Sequence, residues 1–400
     1  MGPHLPLTRL PLTRRGALLG LGAALTLGRA SLALASAPTE RRLVVVLMRG
    51  ALDGMAAVVP YGDPALASLR AELIPGAVGS EGGMRDLGGF YGLHPSLAAM
   101  HAMYRQGELL PVHAVAGHYR TRSHFEAQDY MEGGADERMS SGWLNRAVAL
   151  LPARPGVDAA LAVGGTLPLL LRGTAPAGAW APPIFNAPEP DLYARIAALH
   201  QADPVTGPAI QEGLKERGFS SETLAGVEKP RNAAAFPALA AVAGRFLAAP
   251  NGPRVAALEL GGWDTHAGQV RRLDEALAQL DAGLAALKQN LGEAWQQTAV
   301  LAVTEFGRAA GVNGTRGTDH GTGTVAFVAG GRVAGGRVLA DWPGLAPGRL
   351  LDARDLQPTL DVRAVAKGLL VHHLGLPADA LLAVFPGSGD AAAVAGLVRA

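Results

Sequence analysis

Acidic and histidine side chains recur in this sequence on short glycine-bounded segments beside apolar runs. Asp53 stands in Arg49-Gly50-Ala51-Leu52-Asp53-Gly54, and Asp264 and His266 in Gly261-Gly262-Trp263-Asp264-Thr265-His266. Glu305 stands in Thr304-Glu305-Phe306-Gly307-Arg308, and Asp319 and His320 in Gly317-Thr318-Asp319-His320-Gly321. Singly, each has an ordinary structural explanation. An Asp after a strand most often closes a turn or caps a helix, Asp319 can cap its own loop, and His266 can hydrogen-bond Asp264. Together, carboxylates and imidazoles arriving from separate strands make a mixed nitrogen and oxygen donor set, suited to Zn²⁺, Mn²⁺, Mg²⁺ or Ca²⁺. The chain has no cysteine, so thiolate ligands and disulfides are excluded.

A second constellation runs from His118 to Asp129 and contains Thr121, Arg122, Ser123 and His124. Ser123 and Glu126 have the spacing of a helix capping box, which needs no further role for either. The same residues also fit a helix N-terminus that receives an anionic group between Arg120 and Arg122, with a hydroxyl poised as nucleophile. Both readings use one helix start. His118 and His124 flank it, whereas His94, His101, His372 and His373 lie on or beside helical patterns, where packing or exposure accounts for them.

These groups need elements to position them. Runs of five to seven apolar residues at Leu43–Met48, Leu109–Val115, Val255–Leu260, Ala299–Thr304 and Val325–Ala329 predict buried strands. Helical periodicity appears at Pro95–Gln106, Ser123–Glu132, Leu192–His200, Ala234–Ala248, Gly268–Gln289 and Val362–His373. The alternation predicts a three-layer α/β/α sandwich around a central, mostly parallel sheet, with its ligand site at the carboxyl ends of the strands. Ile74–Leu93 reads as a glycine-rich surface loop, and 152–230 as an insertion over the sheet's edge or over the site.

Thr13-Arg14-Arg15 precedes an uncharged run from Gly16 to Gly28 and the small residues Ala33-Leu34-Ala35. That order predicts a twin-arginine signal peptide over 1–35, cleaved after Ala35, and a periplasmic or secreted product delivered by the twin-arginine translocation machinery. The run is too short for a permanent membrane span. Residues 36–400 then form one domain. A formal net charge of +1 with dispersed Lys and Arg gives no footprint for nucleic acid.

RGALDG, TRSHFEAQDYMEGG, SSGWLNR, GGWDTHAGQ, TEFGR, NGTRGTDHGTGT and RDLQPTLDVRAVAKGLL, in that order between about Leu43 and His373, resemble the bacterial family labelled domain of unknown function 1501. That family is distantly similar to the alkaline phosphatase and sulfatase superfamily. The resemblance implies an alkaline-phosphatase-like fold with one or two divalent metals, one rather than two here, and hydrolysis of a small anionic phosphate or sulfate ester. It makes Asp53 the first-strand metal carboxylate, Ser123 or Thr121 the nucleophile, Asp264 and His266 the Asp/His pair, Glu305 the next strand-end carboxylate and His320 the final histidine. The chain departs from that pattern in three places: Glu305-Phe306-Gly307 replaces Asp-His-Gly, the Asp/His pair is closer spaced, and the oxidised-cysteine nucleophile of ordinary sulfatases has no counterpart. A non-catalytic binding or assembly protein on the same fold is the competing expectation.

Overall fold

The computed structural model describes residues 40–151, 160–182, 196–200, 203–204, 206–224 and 235–399. The signal segment lies outside them.

Eight strands form the central sheet: β1 Arg42–Met48, β2 Leu109–Ala116, β3 Ala160–Val163, β4 Ala177–Trp180, β5 Val255–Leu260, β6 Thr298–Val303, β7 Thr324–Ala329 and β8 Leu360–Asp361. Their order across the sheet is β8-β2-β7-β6-β1-β5-β3-β4. All pairings are parallel except those of β7, which runs antiparallel to β2 and β6. β1 lies at the centre, paired with β5 and β6, and every residue of it is buried. Successive side chains of a strand face opposite sides. Val44, Val46 and Met48 therefore enter one core while Leu43, Val45 and Leu47 enter the other. That two-sided burial explains why the strand sequences are continuously apolar rather than alternating.

The helices are α1 Ala98–Arg105, α2 His124–Gly133, α3 Trp143–Leu150, α4 Thr206–Thr223, α5 Phe236–Ala248, α6 Gln269–Leu291 and α7 Val362–His372. Apolar faces of α1, α5 and α6 fill the first core, and those of α3 and α7 the second. The result is an α/β fold with helices on both faces of a large, mostly parallel sheet.

The five strands expected from sequence are present within a residue or two, as are the helices at α2, α5, α6 and α7, and α1 begins three residues later than expected, at Ala98. Of the expected helix Leu192–His200, residues 196–200 are described, and they are helical. The segment 160–180 contributes β3 and β4 to the sheet's edge, so this part of 152–230 extends the sheet itself. Within Ile74–Leu93, Arg85–Asp86 and Gly92–Leu93 join Val58–Val59 in a small three-stranded sheet. Among the described residues no helix is long and apolar enough to cross a membrane.

Candidate metal centre

The carboxyl ends of β1, β2, β5 and β6 lie at one pole of the sheet. Because β7 is antiparallel, the segment leading into it reaches the same pole. Gly50, at φ +122°, ends β1 where a Cβ would fall 2.7 Å from the Asp264 backbone nitrogen. A Cβ on Gly317 would fall 2.3 Å from the His266 carbonyl oxygen. Glycine at these positions lets three loops close on one another.

Four side chains from three separate segments meet there. His320 Nε2 lies 2.9 Å from His124 Nε2, 3.0 Å from His266 Nε2 and 3.2 Å from Asp264 Oδ1. Asp264 Oδ1 is also 3.0 Å from His266 Nε2 and 3.6 Å from His124 Nε2. The ligand atoms of His124, Asp264 and His320 all fall within 4.8 Å of one another.

What the other ring nitrogens touch orients His124 and His320. His320 Nδ1 is 3.1 Å from the carbonyl oxygen of Arg122, which can only accept, so Nδ1 carries the proton. His124 Nδ1 donates to the buried Glu305 Oε1 at 2.8 Å. Asp319 Oδ1 stands 3.7 Å from His266 Nδ1. Carrying one proton each, His124 and His320 held in this way turn bare Nε2 lone pairs toward one another, with His266 Nε2 and the Asp264 carboxylate beside them. One proton could bridge His320 to His124 or to His266, but not to both. A cation between them resolves the conflict, and imidazoles oriented by a carboxylate or carbonyl on the far nitrogen are the usual dress of a metal ligand.

Electrostatics reinforce the arrangement. Burial pushes the Glu305 carboxyl up, but hydrogen bonds from His124, its own backbone N–H, Gln128 and the Gly50 N–H outweigh it and hold it below its usual value. The bond to Glu305 raises His124. Burial, with His124 nearby, lowers His320 despite Asp264. Burial opposes ionisation of Asp264 as well, yet Arg308 and the imidazoles keep it low.

Of the residues singled out from sequence, Asp264, His266, Glu305, His320, Asp319 and His124 come together here. Asp53 does not join them. It is fully buried, accepts from Arg70 Nη1 at 2.8 and 3.0 Å and from Gln269 Nε2 at 2.7 Å, and caps the single helical turn Gly54–Ala57. Its two oxygens are used up by that buried ion pair, a correction to its expected place as the first-strand metal carboxylate.

Ser123 is the N-cap of α2, but its side chain makes no capping bond, and Glu126 accepts from the Tyr119 hydroxyl instead. The capping box is therefore not formed. Thr121 lies beside the Tyr119 hydroxyl. The Arg122 side chain turns away to Asp355, at 2.7 and 3.1 Å, and its carbonyl serves His320.

Arg308, Gln128 and Phe306 complete the surroundings. Arg308 is fully buried, donates to Asp264 Oδ1 at 2.6 Å and bonds Thr318. Gln128 donates to Glu305 Oε1 at 3.1 Å. Phe306 packs at ring-centroid distances of 4.9 Å from His124 and 5.0 Å from His320. In the sequence Arg308 and Gln128 stand only inside the longer motifs, and an arginine three residues past the strand-end Glu305 is the one signal for the first.

No curated protein sequence matches the chain. Among solved structures, the C-terminal periplasmic domain of EcEptC from Escherichia coli, in complex with Zn, is similar at 11% identity over 74% of this chain and 75% of that one, with a TM-score of 0.31. Likeness at that level carries no argument about the site. Residues 87–385, most of the described chain and all of the converging side chains, match the family described as Protein of unknown function (DUF1501), and the chain belongs to that family.

Proposed function

We propose that the chain is an exported, metal-dependent hydrolase of phosphate or sulfate esters, with one divalent ion held by His124, His266, His320 and Asp264 and with Ser123 as the nucleophile. The observation that carries this reading is the convergence of three imidazole Nε2 atoms with Asp264 Oδ1. Three imidazoles and one carboxylate favour Zn²⁺ or Mn²⁺ over Mg²⁺ or Ca²⁺, which prefer all-oxygen shells. When bound, the ion supplies charge to polarise the ester oxygen and to lower the pKa of the attacking hydroxyl.

The chain's own groups do the rest. Glu305 and the Arg122 carbonyl hold the protons on the far nitrogens of His124 and His320. Ser123 immediately precedes His124 and keeps its hydroxyl out of the helix cap, whereas Thr121 lies beside the Tyr119 hydroxyl. Arg271, Arg272 and Arg316 line an open cavity of about 750 Å³ that starts beside His266, at Ala267 and Gly268. Those arginines outnumber the two acids on its wall, Glu72 and Asp274, which suits an anionic substrate. A carboxyl-pole site on a two-faced, mostly parallel sheet supports an alkaline-phosphatase-like fold. The paired arginines at Arg14 and Arg15 support export through the twin-arginine route into the periplasm or beyond.

One observation favours the second reading, a binding or assembly protein on the same fold. Phe306 places hydrocarbon against His124 and His320 where a second ligand imidazole would otherwise stand.

The protein from Ser36 onward, purified without chelator, should carry about one equivalent of Zn or Mn by mass spectrometry, lost in Asp264→Ala/His266→Ala. Ser123→Ala should keep the metal and lose turnover of aryl phosphates or sulfates. A folded wild type that takes up no metal on reconstitution would sink the hydrolase. Metal retained by every Ser123 variant with no turnover in the wild type favours the binding protein.

A further inference from the structure

Arg122 adopts φ +62°, in the left-handed region, which an L-residue with a β-carbon enters at a cost. Something must hold it there, and what the backbone gains is visible. In this conformation its carbonyl oxygen accepts from His320 Nδ1 at 3.1 Å, the contact that leaves His320 Nε2 bare.

The holding group comes from a distant hairpin. Leu351 and Asp355 exchange backbone hydrogen bonds at 2.9 Å in both directions, and Asp352 and Ala353 between them both have φ +54°. With Arg354 they make a three-residue connection, and two successive left-handed residues within it normally call for Gly or Asn. The turn drives Asp355 into the interior, where it is fully buried. Asp355 Oδ2 accepts from Arg122 Nη2 at 2.7 Å, from Arg122 Nε at 3.1 Å and from the Thr322 hydroxyl at 2.8 Å. Asp352 adds a second carboxylate 3.4 Å from Arg122 Nη2. From the same hairpin Arg354 Nη2 donates to the His320 carbonyl at 2.6 Å. Asp355 Oδ1 makes no hydrogen bond, and Arg354 Nη1 stands 3.4 Å from it.

We propose that Asp355 is a positioning residue for His320: by gripping the Arg122 side chain it keeps Arg122 in the left-handed conformation whose carbonyl fixes the His320 ring. The proposal rests on the metal-centre reading for its consequence, although the geometry stands without a metal. Asp355 touches no substrate and no metal ligand directly. It acts through one backbone carbonyl.

The test uses four variants of the full mature protein, each read by Zn²⁺ competition with a chromophoric chelator and by two-bond ¹H–¹⁵N spectra of the metal-free histidines. Asp355→Asn is expected to weaken Zn²⁺ binding roughly 10- to 100-fold and to lower the Nδ1–H population of His320. Arg122→Ala and Arg122→Gly both lose the ion pair to Asp355, so their difference isolates the backbone conformation. Glycine enters the left-handed region freely, and Arg122→Gly should bind Zn²⁺ about tenfold more tightly than Arg122→Ala. Arg122→Gly should also rescue Asp355→Asn, because the grip is then no longer needed.

Equal binding by the Gly and Ala variants, or a double variant no better than Asp355→Asn, overturns the proposal, since a merely structural ion pair would give those results. A wild type that binds no metal but whose His320 tautomer follows Asp355 and Arg122 as stated fails the metal reading and keeps the positioning role. Metal bound with equal affinity by all four variants does the reverse.

Discussion

Glu305→Gln separates the electrostatic part of the site from its packing. The carboxylate is almost fully buried and meets only donors. Oε1 accepts from Gly50 N at 2.9 Å, His124 Nδ1 at 2.8 Å and Gln128 Nε2 at 3.1 Å, while Oε2 accepts from the Thr304 hydroxyl at 2.9 Å. The amide has the same shape and keeps an acceptor at Oε1. Its NH₂ faces Thr304, whose hydroxyl can turn to accept. The fold therefore loses charge assistance and little else, a cost of about 2 kcal/mol. The metal centre loses the anion that orients His124 and raises its basicity. Removing such an outer partner weakens metal binding roughly 10- to 100-fold, or about 1.4–2.7 kcal/mol. Chelator competition reads the affinity, and urea denaturation in excess chelator reads the fold without the metal. A variant that loses stability as stated but binds Zn²⁺ like the wild type would refute the relay, leaving Glu305 a structural carboxylate. Gln128→Ala is the control, because it removes a donor to the same oxygen without changing its charge.

Other perturbations follow from the same coordinates. His113 and His373 are buried and held neutral, each pushed down to about 4 mainly by burial. A folded pKa below the unfolded 6.5 means that their stabilisation is complete above about pH 6.5 and is lost as pH falls toward 4, roughly 3 kcal/mol per ring at most. Stability from urea titrations that stays flat between pH 6.5 and 4.5 would contradict this. Asp53→Asn strands the buried Arg70 and should cost about 3–5 kcal/mol while leaving metal per folded chain unchanged; metal loss in a folded variant would return Asp53 to the site. Phe306→His sets a further imidazole against His124 and His320, and a second equivalent of metal, read by mass spectrometry, should then bind weakly and only at excess metal. Unchanged stoichiometry would mean that Phe306 is not what limits the site.

Much of this was legible in the residues. The five central strands could be read because two-sided burial demands continuous Val, Leu and Ala, and donors falling just past those strands had to reach one pole. β3 and β4 escaped notice because four-residue edge strands such as Ala160–Val163 and Ala177–Trp180 carry too few side chains to show a period. Asp53 is ambiguous in the sequence for a different reason. A strand-end Asp looks the same in sequence whether it meets a metal or an arginine, and Arg70 arrives from the short helix Leu66–Arg70, whose only relevant feature is its fold position. Asp355 was equally silent, since its partner Arg122 lies 233 residues away.

Charge gives an independent reason for a single ion. Asp264, Glu305 and Asp319 bring three carboxylates to the cluster, and Arg308 alone among the neighbouring cations pairs directly with one of them, at Asp264 Oδ1. Arg122 and Arg354 are matched by Asp352 and Asp355 in the adjoining hairpin. Two carboxylates are left without a directly paired arginine, and one divalent cation would balance them. A second would leave the cluster two charges positive beside the buried Arg308 and the hydrocarbon of Phe306, with no further acid to offset it. The hydrocarbon of Phe306 against His124 and His320 and the carboxylate count thus agree, and the Phe306→His variant tests them against each other: an added imidazole without an added acid should recruit its second ion only weakly.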